Sequence, residues 1–474
     1  MRLKRRLGRA IPAGLRRTAI VALNALGLCC LALAAVWLAV RITPLQSVSA
    51  AGQTVRVGAA PVSWSLSGPG RLDLFGQSMP TRPHFDGPIR PRLALSRISD
   101  DAEVAQLLRS GDHERLTLDV GHKLVGGWVR YGVWETAVAV GLVLLPLGAW
   151  AGLRRMPRRR AVQVLVGGTA LVVALNAVGF VLLALDTPRT LHSLKSLGDL
   201  VGDSSVTQVP AAEGPALEDV RAVVLGDSTA AGAGNRLVPD AGPLDRACLR
   251  SSDSFARVLD RTNEWRVLNL ACSGATIHDG LLGVQILGDR VAPPQLAEAK
   301  RATKASVVIV SVGANDMRWA DLVMLCAAAP TCNDKASTAF FQSRLTRFTL
   351  DYRTLLEQVA DLPGHPAVIV NEYYDPFGKS VACLRSEGLD RRKVDVLRSR
   401  LSAVNAVLRQ GAESFGFTAV RPDFEGHGLC SPQPFVQGRT DTAPLHPNAA
   451  GSLAIALADQ QALPGLVPSG LAAG

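Results

Sequence analysis

Apolar residues follow two different patterns in this chain, one before and one after about residue 186. In the first part they form three nearly continuous stretches, at residues 19–40, 131–153 and 161–185. A helix needs about 20 apolar residues to cross the hydrocarbon core of a bilayer, and each stretch is long enough. We therefore predict three transmembrane helices, joined by a segment at 41–130 and a short loop at 154–160.

After residue 219, short apolar runs alternate with stretches of helical period. The runs predict strands at 221–226, 266–271, 306–312, 367–373 and 417–420. The clearest helical stretches are 293–304, 337–361 and 390–414. Continuous apolar runs are typical of parallel strands that are buried on both faces. We predict that residues 219–474 form a three-layer α/β/α domain with a five-stranded parallel sheet.

Two segments outside the apolar stretches and the predicted α/β domain show weaker patterns. Residues 41–130 contain short strand-like runs that turn formers at 67–70 and 81–83 would interrupt, and a helical pattern near 101–109. Residues 186–218 contain several serine, proline and glycine residues and are predicted to be a tether. We find no candidate chemistry in residues 41–130.

The positive charge of the chain lies largely beside the apolar stretches. Seven basic residues occur in residues 1–18 and five in the loop at 154–160, with no acidic residue in either cluster. By the positive-inside rule both clusters are cytoplasmic, so residues 41–130 and everything after about residue 186 are predicted to be extracytoplasmic. An alternative for the first stretch is a cleaved signal, because Val48-Ser49-Ala50 resembles a small-residue cleavage site.

The formal net charge of +11 does not indicate a nucleic-acid-binding protein. The two clusters contain 12 of the 51 basic residues, which leaves 39 basic against 40 acidic residues elsewhere. The excess charge therefore reports membrane orientation, and we predict an integral membrane protein with no nucleic-acid partner.

Cysteine usage fits an exported C-terminal part. Cys29 and Cys30 lie within the first apolar stretch. The other six all follow residue 240: Cys248, Cys272, Cys326, Cys332, Cys383 and Cys430. An even number in an oxidising compartment favours disulfides; six cysteines allow 15 connectivities, of which pairing of sequence neighbours is the simplest. No ligand spacing typical of zinc is present, so we predict no metal and no cofactor.

Polar residues follow three of the predicted strands and precede a last helical stretch. They are Gly226-Asp227-Ser228, Ser273-Gly274-Ala275, Gly313-Ala314-Asn315-Asp316 and Leu445-His446-Pro447-Asn448. Ligands bind beyond the carboxyl ends of parallel strands, so we expect these groups to converge at one edge of the sheet.

These four blocks, with the stretches ACSGAT and HPNAAG, resemble the SGNH (GDSL-type) hydrolases, most closely a secreted actinobacterial branch, over residues 219 to about 460. The resemblance implies a serine esterase with Ser228 as nucleophile and His446 as base. It also implies an oxyanion hole formed by the amides of Ser228 and Gly274 and the side chain of Asn315. A serine hydroxyl needs such a base, and a tetrahedral oxyanion needs such donors.

The third catalytic member departs from the family pattern. An aspartate usually precedes the histidine by three residues, and that position is Ala443. Asp441 is the candidate acid, but it lies five residues before His446. Pro444 favours an extended or turn segment here, so we predict that a backbone carbonyl near Ala443 orients His446 and that Asp441 is secondary.

Each residue also has a purely structural interpretation. Ser228 and Asn315 could cap helices, Gly274 could be a turn glycine, and His446 could be a surface residue. Asp227 and Asp316 are interpreted as residues that hold loops together, and His427 is equally compatible with the pocket and with a structural role. We predict a membrane-anchored extracytoplasmic esterase acting on lipid acyl or glycan O-acyl groups. The alternatives are an O-acyltransferase and a non-catalytic envelope-binding or scaffold protein.

Overall fold

The computed structural model describes residues 13–50, 53–62, 65, 67–98, 113–192, 209 and 214–463. These residues form two compact units, which are described separately. The predictions for the basic residues before Ala13, for a helix near 101–109 and for most of the tether lie outside the described residues.

The first unit contains three long helices and a five-stranded sheet. The helices are α1 (Ala13–Ile42), α2 (His113–Leu153) and α3 (Arg158–His192). The strands are β1 (Gln46–Ala50), β2 (Gln53–Ala59), β3 (Ser67–Leu74), β4 (Gln77–Asp86) and β5 (Pro91–Ile98), in the sheet order β1-β2-β5-β3-β4.

All three helices contain a segment that is long and apolar enough to cross a membrane. These segments are Val21–Ile42, Lys123–Leu153 and Arg158–Val181. The helices pack on one another through small and branched side chains, among them the fully buried Ala32, Ala139 and Val172. The second helix begins before the predicted residue 131, and the third continues to His192, so residues 186–192 are helical and not part of a tether.

The sequence interpretation of residues 67–70 and 81–83 as strand breaks was wrong. Both stretches lie inside strands, β3 and β4. The Thr81 hydroxyl accepts a hydrogen bond from the Gly70 amide at 2.8 Å and donates to the Pro83 carbonyl at 3.0 Å. Pro83 is tolerated because β4 is an edge strand, where a missing amide donor breaks no ladder.

The second unit is built on a parallel sheet of five strands. These are β6 (Ala222–Gly226), β7 (Val267–Asn269), β10 (Val307–Ser311), β11 (Ala367–Asn371) and β12 (Thr418–Val420). Every residue of β6 and β10 is buried. Because successive side chains in a strand point to opposite faces, both faces of the sheet must be covered, as predicted.

Helices connect the strands, and a small antiparallel hairpin follows β7. The helices are α4 (Ser228–Ala231), α5 (Pro243–Cys248), α6 (Phe255–Asn263), α7 (Gln295–Ala299), α8 (Trp319–Ala328), α9 (Lys335–Ala360), α10 (Arg391–Ser414) and α11 (Ala449–Ala462), with a 3-10 turn at Ala382–Glu387. The hairpin consists of β8 (Gln285–Leu287) and β9 (Arg290–Ala292). Helix α6 packs against α11, and α9 against α10.

The order of the sheet, β12-β11-β10-β6-β7, fixes where a site forms. The chain passes from β6 to β7 on one side and returns to β10 on the other, with Gly226 beside Ser311 in parallel register. This reversal of direction opens a crevice at the carboxyl ends of β6 and β10. The residues that follow both strands therefore face the same space.

Candidate active site

Ser228 is the first residue of α4, directly after the end of β6. The N-cap of α4 is Asp227, whose side chain accepts the Thr229 amide at 2.9 Å. The helix ends after one turn at Gly232, which has a φ of 76° that favours glycine. Because the neighbouring carboxyl performs the capping, the Ser228 hydroxyl is available for another partner.

That partner is His446. The His446 Nε2 atom lies 2.8 Å from the Ser228 Oγ atom, although the two residues are 218 positions apart in sequence. The other ring nitrogen, Nδ1, lies 3.2 Å from the Pro444 carbonyl oxygen. A carbonyl can only accept, so Nδ1 carries the proton in this contact and Nε2 presents its lone pair to the serine.

The backbone before His446 has an unusual conformation. Leu445 has a φ of 67°, in the left-handed region that a leucine seldom adopts. Its carbonyl accepts a hydrogen bond from the Tyr374 hydroxyl at 2.9 Å, and its amide donates to the Gln437 carbonyl at 3.1 Å. These contacts hold the turn that directs the imidazole toward Ser228.

Donors for an oxyanion are present beside the serine. Within the described residues, the amides of Ser228 and Gly274 have no hydrogen-bond partner. Asn315 donates from Nδ2 to the Ala275 carbonyl at 2.9 Å, which leaves its second amide hydrogen for a ligand. Gly274 has a φ of 79°, so a glycine is also favoured there for the turn itself.

A buried carboxyl links the loop that contains Ser228 to two other loops. Asp227 is fully buried, and its Oδ2 accepts the Tyr373 hydroxyl at 3.0 Å. Tyr373 in turn accepts the Ala314 amide at 2.7 Å, one residue before Asn315. Burial raises the pKa of Asp227, and the hydrogen bonds from Thr229 and Tyr373 oppose that rise.

Asp316 connects the block that contains Gly274 to the block that contains Asn315. Its Oδ1 atom accepts the Ile277 amide at 2.9 Å, while Oδ2 is buried and has no partner among the described residues. Burial raises the pKa of Asp316 to about 7, and the negative charges of Asp351 and Asp227 act in the same direction. Both aspartates thus bridge loops, as the sequence interpretation expected.

The structure does not bring Asp441 to the histidine ring. Its Oδ2 accepts the Gly438 amide at 2.7 Å within its own turn. The carbonyl that contacts Nδ1 belongs to Pro444, next to the predicted position 443. His427 stacks on Phe435 with ring centroids 3.7 Å apart, and does not line the cavity described next.

Ser228 and His446 lie on the wall of a cavity of about 650 Å³. Much of its remaining surface comes from two helices, with Trp319, Val323 and Met324 on α8 and Leu401 and Val404 on α10. Among the residues that line it, all of them in the described part of the chain, none is Asp, Glu, Lys or Arg.

Comparison with known proteins places this site in a family. The GDSL-like Lipase/Acylhydrolase family matches residues 224–454, the interval that contains Ser228, Gly274, Asn315 and His446. Residues 224–454 belong to this family. This part of the chain is accordingly an ester hydrolase domain of the GDSL type.

Related sequences and structures cover about half of the chain. Lipase 2 and Lipase 1 of Streptomyces coelicolor are 27% and 28% identical over 270 and 240 residues, which is 52% and 48% of this chain and 86% and 81% of the relatives. The crystal structure of an extracellular lipase from Streptomyces rimosus aligns with 52% of this chain and all of that chain, at 23% identity and a TM-score of 0.38.

The GDSL-like domain contains three disulfides. They join Cys248 to Cys272, Cys326 to Cys332 and Cys383 to Cys430, which is the pairing of sequence neighbours. The first joins the end of α5 to the loop after β7 that leads to Gly274. Cys29 and Cys30 are free thiols in α1. Within the described residues, no cluster of three or more His, Cys, Asp or Glu side chains could bind a metal.

Sequence reasoning missed three residues that support the GDSL-like site. Tyr373 bridges Asp227 and Ala314. Gln295 accepts the Gly226 amide at 2.8 Å and donates to its carbonyl at 2.9 Å. Gln437 contacts Ala233, after the Ser228 helix, and Ala443, before His446. The only available signal for Tyr373 was its position at the end of a predicted strand. Neither glutamine lies in a recognisable motif, because each acts through contacts distant in sequence.

Proposed function

We propose that this protein is a membrane-anchored extracytoplasmic esterase that cleaves lipid acyl esters through an acyl-enzyme on Ser228. The observation that carries the proposal is the 2.8 Å contact between Ser228 and His446 on the wall of an uncharged cavity. His446 would remove the serine proton, and the hydroxyl oxygen would attack the ester carbonyl. The amides of Ser228 and Gly274 and the Asn315 side chain would bind the oxyanion.

His446 would then return the proton to the leaving alcohol. The Ser228 ester that remains is hydrolysed by a water molecule, which the same histidine activates. In both steps the Pro444 carbonyl would keep the proton on Nδ1, so that Nε2 stays free to act.

The lining of the cavity favours a long acyl chain over an acetyl group. Six apolar side chains of α8 and α10 line the space beside Ser228, and none of the described residues that line it carries a charge that could pair with a phosphate group. Each methylene that moves from water into such a site contributes about 0.8 kcal/mol, which corresponds to roughly a fourfold gain in kcat/KM.

A panel of p-nitrophenyl esters from acetate to dodecanoate tests this proposal with the full-length protein in detergent. We expect kcat/KM to rise with chain length until the cavity is filled. Val323→Trp replaces a small side chain of the cavity wall by an indole ring and should selectively reduce hydrolysis of the longer esters. Leu325→Trp is the matched control, because Leu325 lies on the same helix, is 47% exposed and does not line the cavity. A preference for acetate would support the glycan O-acyl alternative.

Membrane anchoring is supported by the three apolar helices and by the basic residues around them. Three disulfides in the GDSL-like domain fit an oxidising compartment outside the cytoplasm. Protease added to cells stripped of their wall should cleave between residues 193 and 213 and spare the loop at 154–160. Cleavage of that loop with protection of the other segment would invert the proposed topology.

A further inference from the structure

The segment at residues 445–447, which contains His446, pairs with the segment at residues 436–437. Val436 forms an antiparallel bridge with Pro447. The Gln437 amide donates to the His446 carbonyl at 2.8 Å, and the Leu445 amide donates to the Gln437 carbonyl at 3.1 Å. Gln437 therefore pairs with the histidine loop through its own backbone.

The side chain of Gln437 extends this pairing across the site. It is buried, with 5% of its surface exposed. Its Nε2 donates to the Ala233 carbonyl at 2.7 Å and to the Pro447 carbonyl at 3.3 Å. Its Oε1 accepts the Ala443 amide at 3.2 Å. One amide thus contacts the histidine loop on both sides of His446 and, through Ala233, a second loop.

That second loop is fixed to the nucleophile. The Ala233 amide donates to the Ser228 carbonyl at 3.0 Å, so Ala233 closes the single turn that Ser228 begins. Gly234 follows with a φ of 85°, and a Cβ atom there would overlap the Gln437 side chain. Asn235 adds a parallel link, because its Nδ2 donates to the Pro447 carbonyl at 2.9 Å.

We propose that Gln437 is a positioning residue that sets the distance and direction between Ser228 and His446. This inference rests on the proposed function of that pair. In a Ser-His-Asp triad, a buried carboxylate orients the imidazole. Among the described residues, the hydrogen-bond partner of the ring Nδ1 is the Pro444 carbonyl, a neutral acceptor on the same loop, so the position of that loop determines where Nε2 lies.

Loss of this amide should reduce turnover without reducing substrate binding. Misplacing a catalytic group by about 1 Å can lower the rate about 10²-fold. Gln437 does not line the substrate cavity, so the acyl chain has no direct contact with it. Both links of Nε2 are to backbone carbonyls, and an apolar side chain of similar length would occupy the space but could not donate to them.

The test compares variants of the full-length protein in detergent on one p-nitrophenyl ester. We expect Gln437→Met to lower kcat about 10- to 100-fold and to leave KM within about twofold of wild type. Gly234→Ala, whose added Cβ would overlap the Gln437 side chain, should also lower kcat, but only Gln437→Met tests KM because Gly234 lines the cavity. The control is Asn263→Ala, which removes side-chain hydrogen bonds to the Leu259 carbonyl and Gln460 in the same domain but leaves both catalytic loops untouched. It should retain the wild-type kcat.

A double-mutant cycle separates positioning from general damage. If Gln437 acts through His446, Gln437→Met should have no further effect in a His446→Ala background. An equal additional loss in that background, or a wild-type kcat for Gln437→Met, would overturn the positioning role. Failure of the wild-type protein itself to hydrolyse any ester or to react with a fluorophosphonate would instead overturn the proposed function, and the positioning role with it.

Discussion

The Ser228 side of the site contains buried carboxyls, whereas the His446 side is built from amides and backbone carbonyls. Asp227 caps α4 and accepts a hydrogen bond from Tyr373, and Asp316 holds the loop that follows Gly274. On the other side, Pro444 and Gln437 support the histidine loop, and the nearby carboxyl of Asp441 faces its own turn. The contact between Ser228 and His446 is therefore supported by carboxyls, which can titrate, on the Ser228 side and by neutral amide and carbonyl groups on the His446 side.

This difference affects how the two sides respond to change. Ionisation of a buried carboxyl costs free energy, so the stability of the Ser228 side should depend on pH. A set of neutral hydrogen bonds has no such dependence, but it relies on the exact path of the backbone. The pH dependence of stability should therefore report on the carboxyls of the Ser228 side, and kcat of single variants on the hydrogen bonds of the His446 side.

The largest effect should come from breaking the contact where the two sides meet. We expect Ser228→Ala and His446→Ala each to lower kcat for ester hydrolysis by about 10⁴-fold or more, because neither residue can act without the other. Ser228→Ala should also abolish fluorophosphonate labelling. Thermal unfolding at the wild-type temperature would show that each variant is folded, and residual activity within tenfold of wild type would remove the residue from the reaction.

Asp316→Asn should change the pH dependence of stability. The folded state has a pKa of about 7 for this carboxyl, against 3.8 for the ordinary group, so the folded protein retains a proton that the unfolded chain has released. Its contribution to the free energy of unfolding therefore falls as pH rises from about 4 to 7, by about 4 kcal/mol in total.

Asp316→Asn has no carboxyl to titrate, so its free energy of unfolding relative to that of wild type should increase between about pH 4 and 7. Denaturant unfolding of the full-length protein at several pH values measures this difference. Asn269→Ala, which changes no ionisable group, should differ from wild type by a constant amount. A constant difference for Asp316→Asn as well would show that this carboxyl is ionised in the folded protein.

Asn315→Ala tests the oxyanion donors of the serine side. Removal of one such donor typically lowers kcat about 10²- to 10³-fold. Asn269→Ala serves as the control again, because Asn269 donates to the Ala230 carbonyl nearby but does not line the cavity. Comparable losses for both variants would mean that Asn315 acts on the loops rather than on the substrate.

The smallest effect should come from Asp441. Its carboxylate accepts the Gly438 amide and does not contact the imidazole, so Asp441→Asn should lower kcat by less than about tenfold. Steady-state kinetics beside His446→Ala provides the comparison. A loss near 10⁴-fold with the fold intact would restore a displaced triad and make the two sides of the site alike.

Much of the second unit could be predicted from local patterns. The apolar runs at 221–226 and 306–312 correspond to β6 and β10 within one residue at each end, since strands buried on both faces require consecutive apolar residues. The predicted helix at 293–304 is only Gln295–Ala299, because the chain continues in turns after Lys300. The continuity of β3 and β4 was not predicted, because the proline and glycine residues inside both strands resemble turn formers; only β4 lies at the sheet edge.

The sequence by itself determined which groups are available at the site. Ser228, Gly274 and Asn315 follow predicted parallel strands, and the carboxyl ends of such strands meet at one edge for any order of the sheet. The three apolar stretches and the even number of cysteines were likewise readable, because hydropathy and cysteine count are properties of composition.

Only the tertiary structure decided what holds these groups in place. It showed that Asp227 rather than Ser228 caps α4, that Pro444 contacts His446, and that Gln437 links Ala233 to the histidine loop. Each of these contacts depends on the direction of a side chain or carbonyl to within about an ångström. Hydrogen bonds require that accuracy, and a pattern of polar and apolar residues does not specify it.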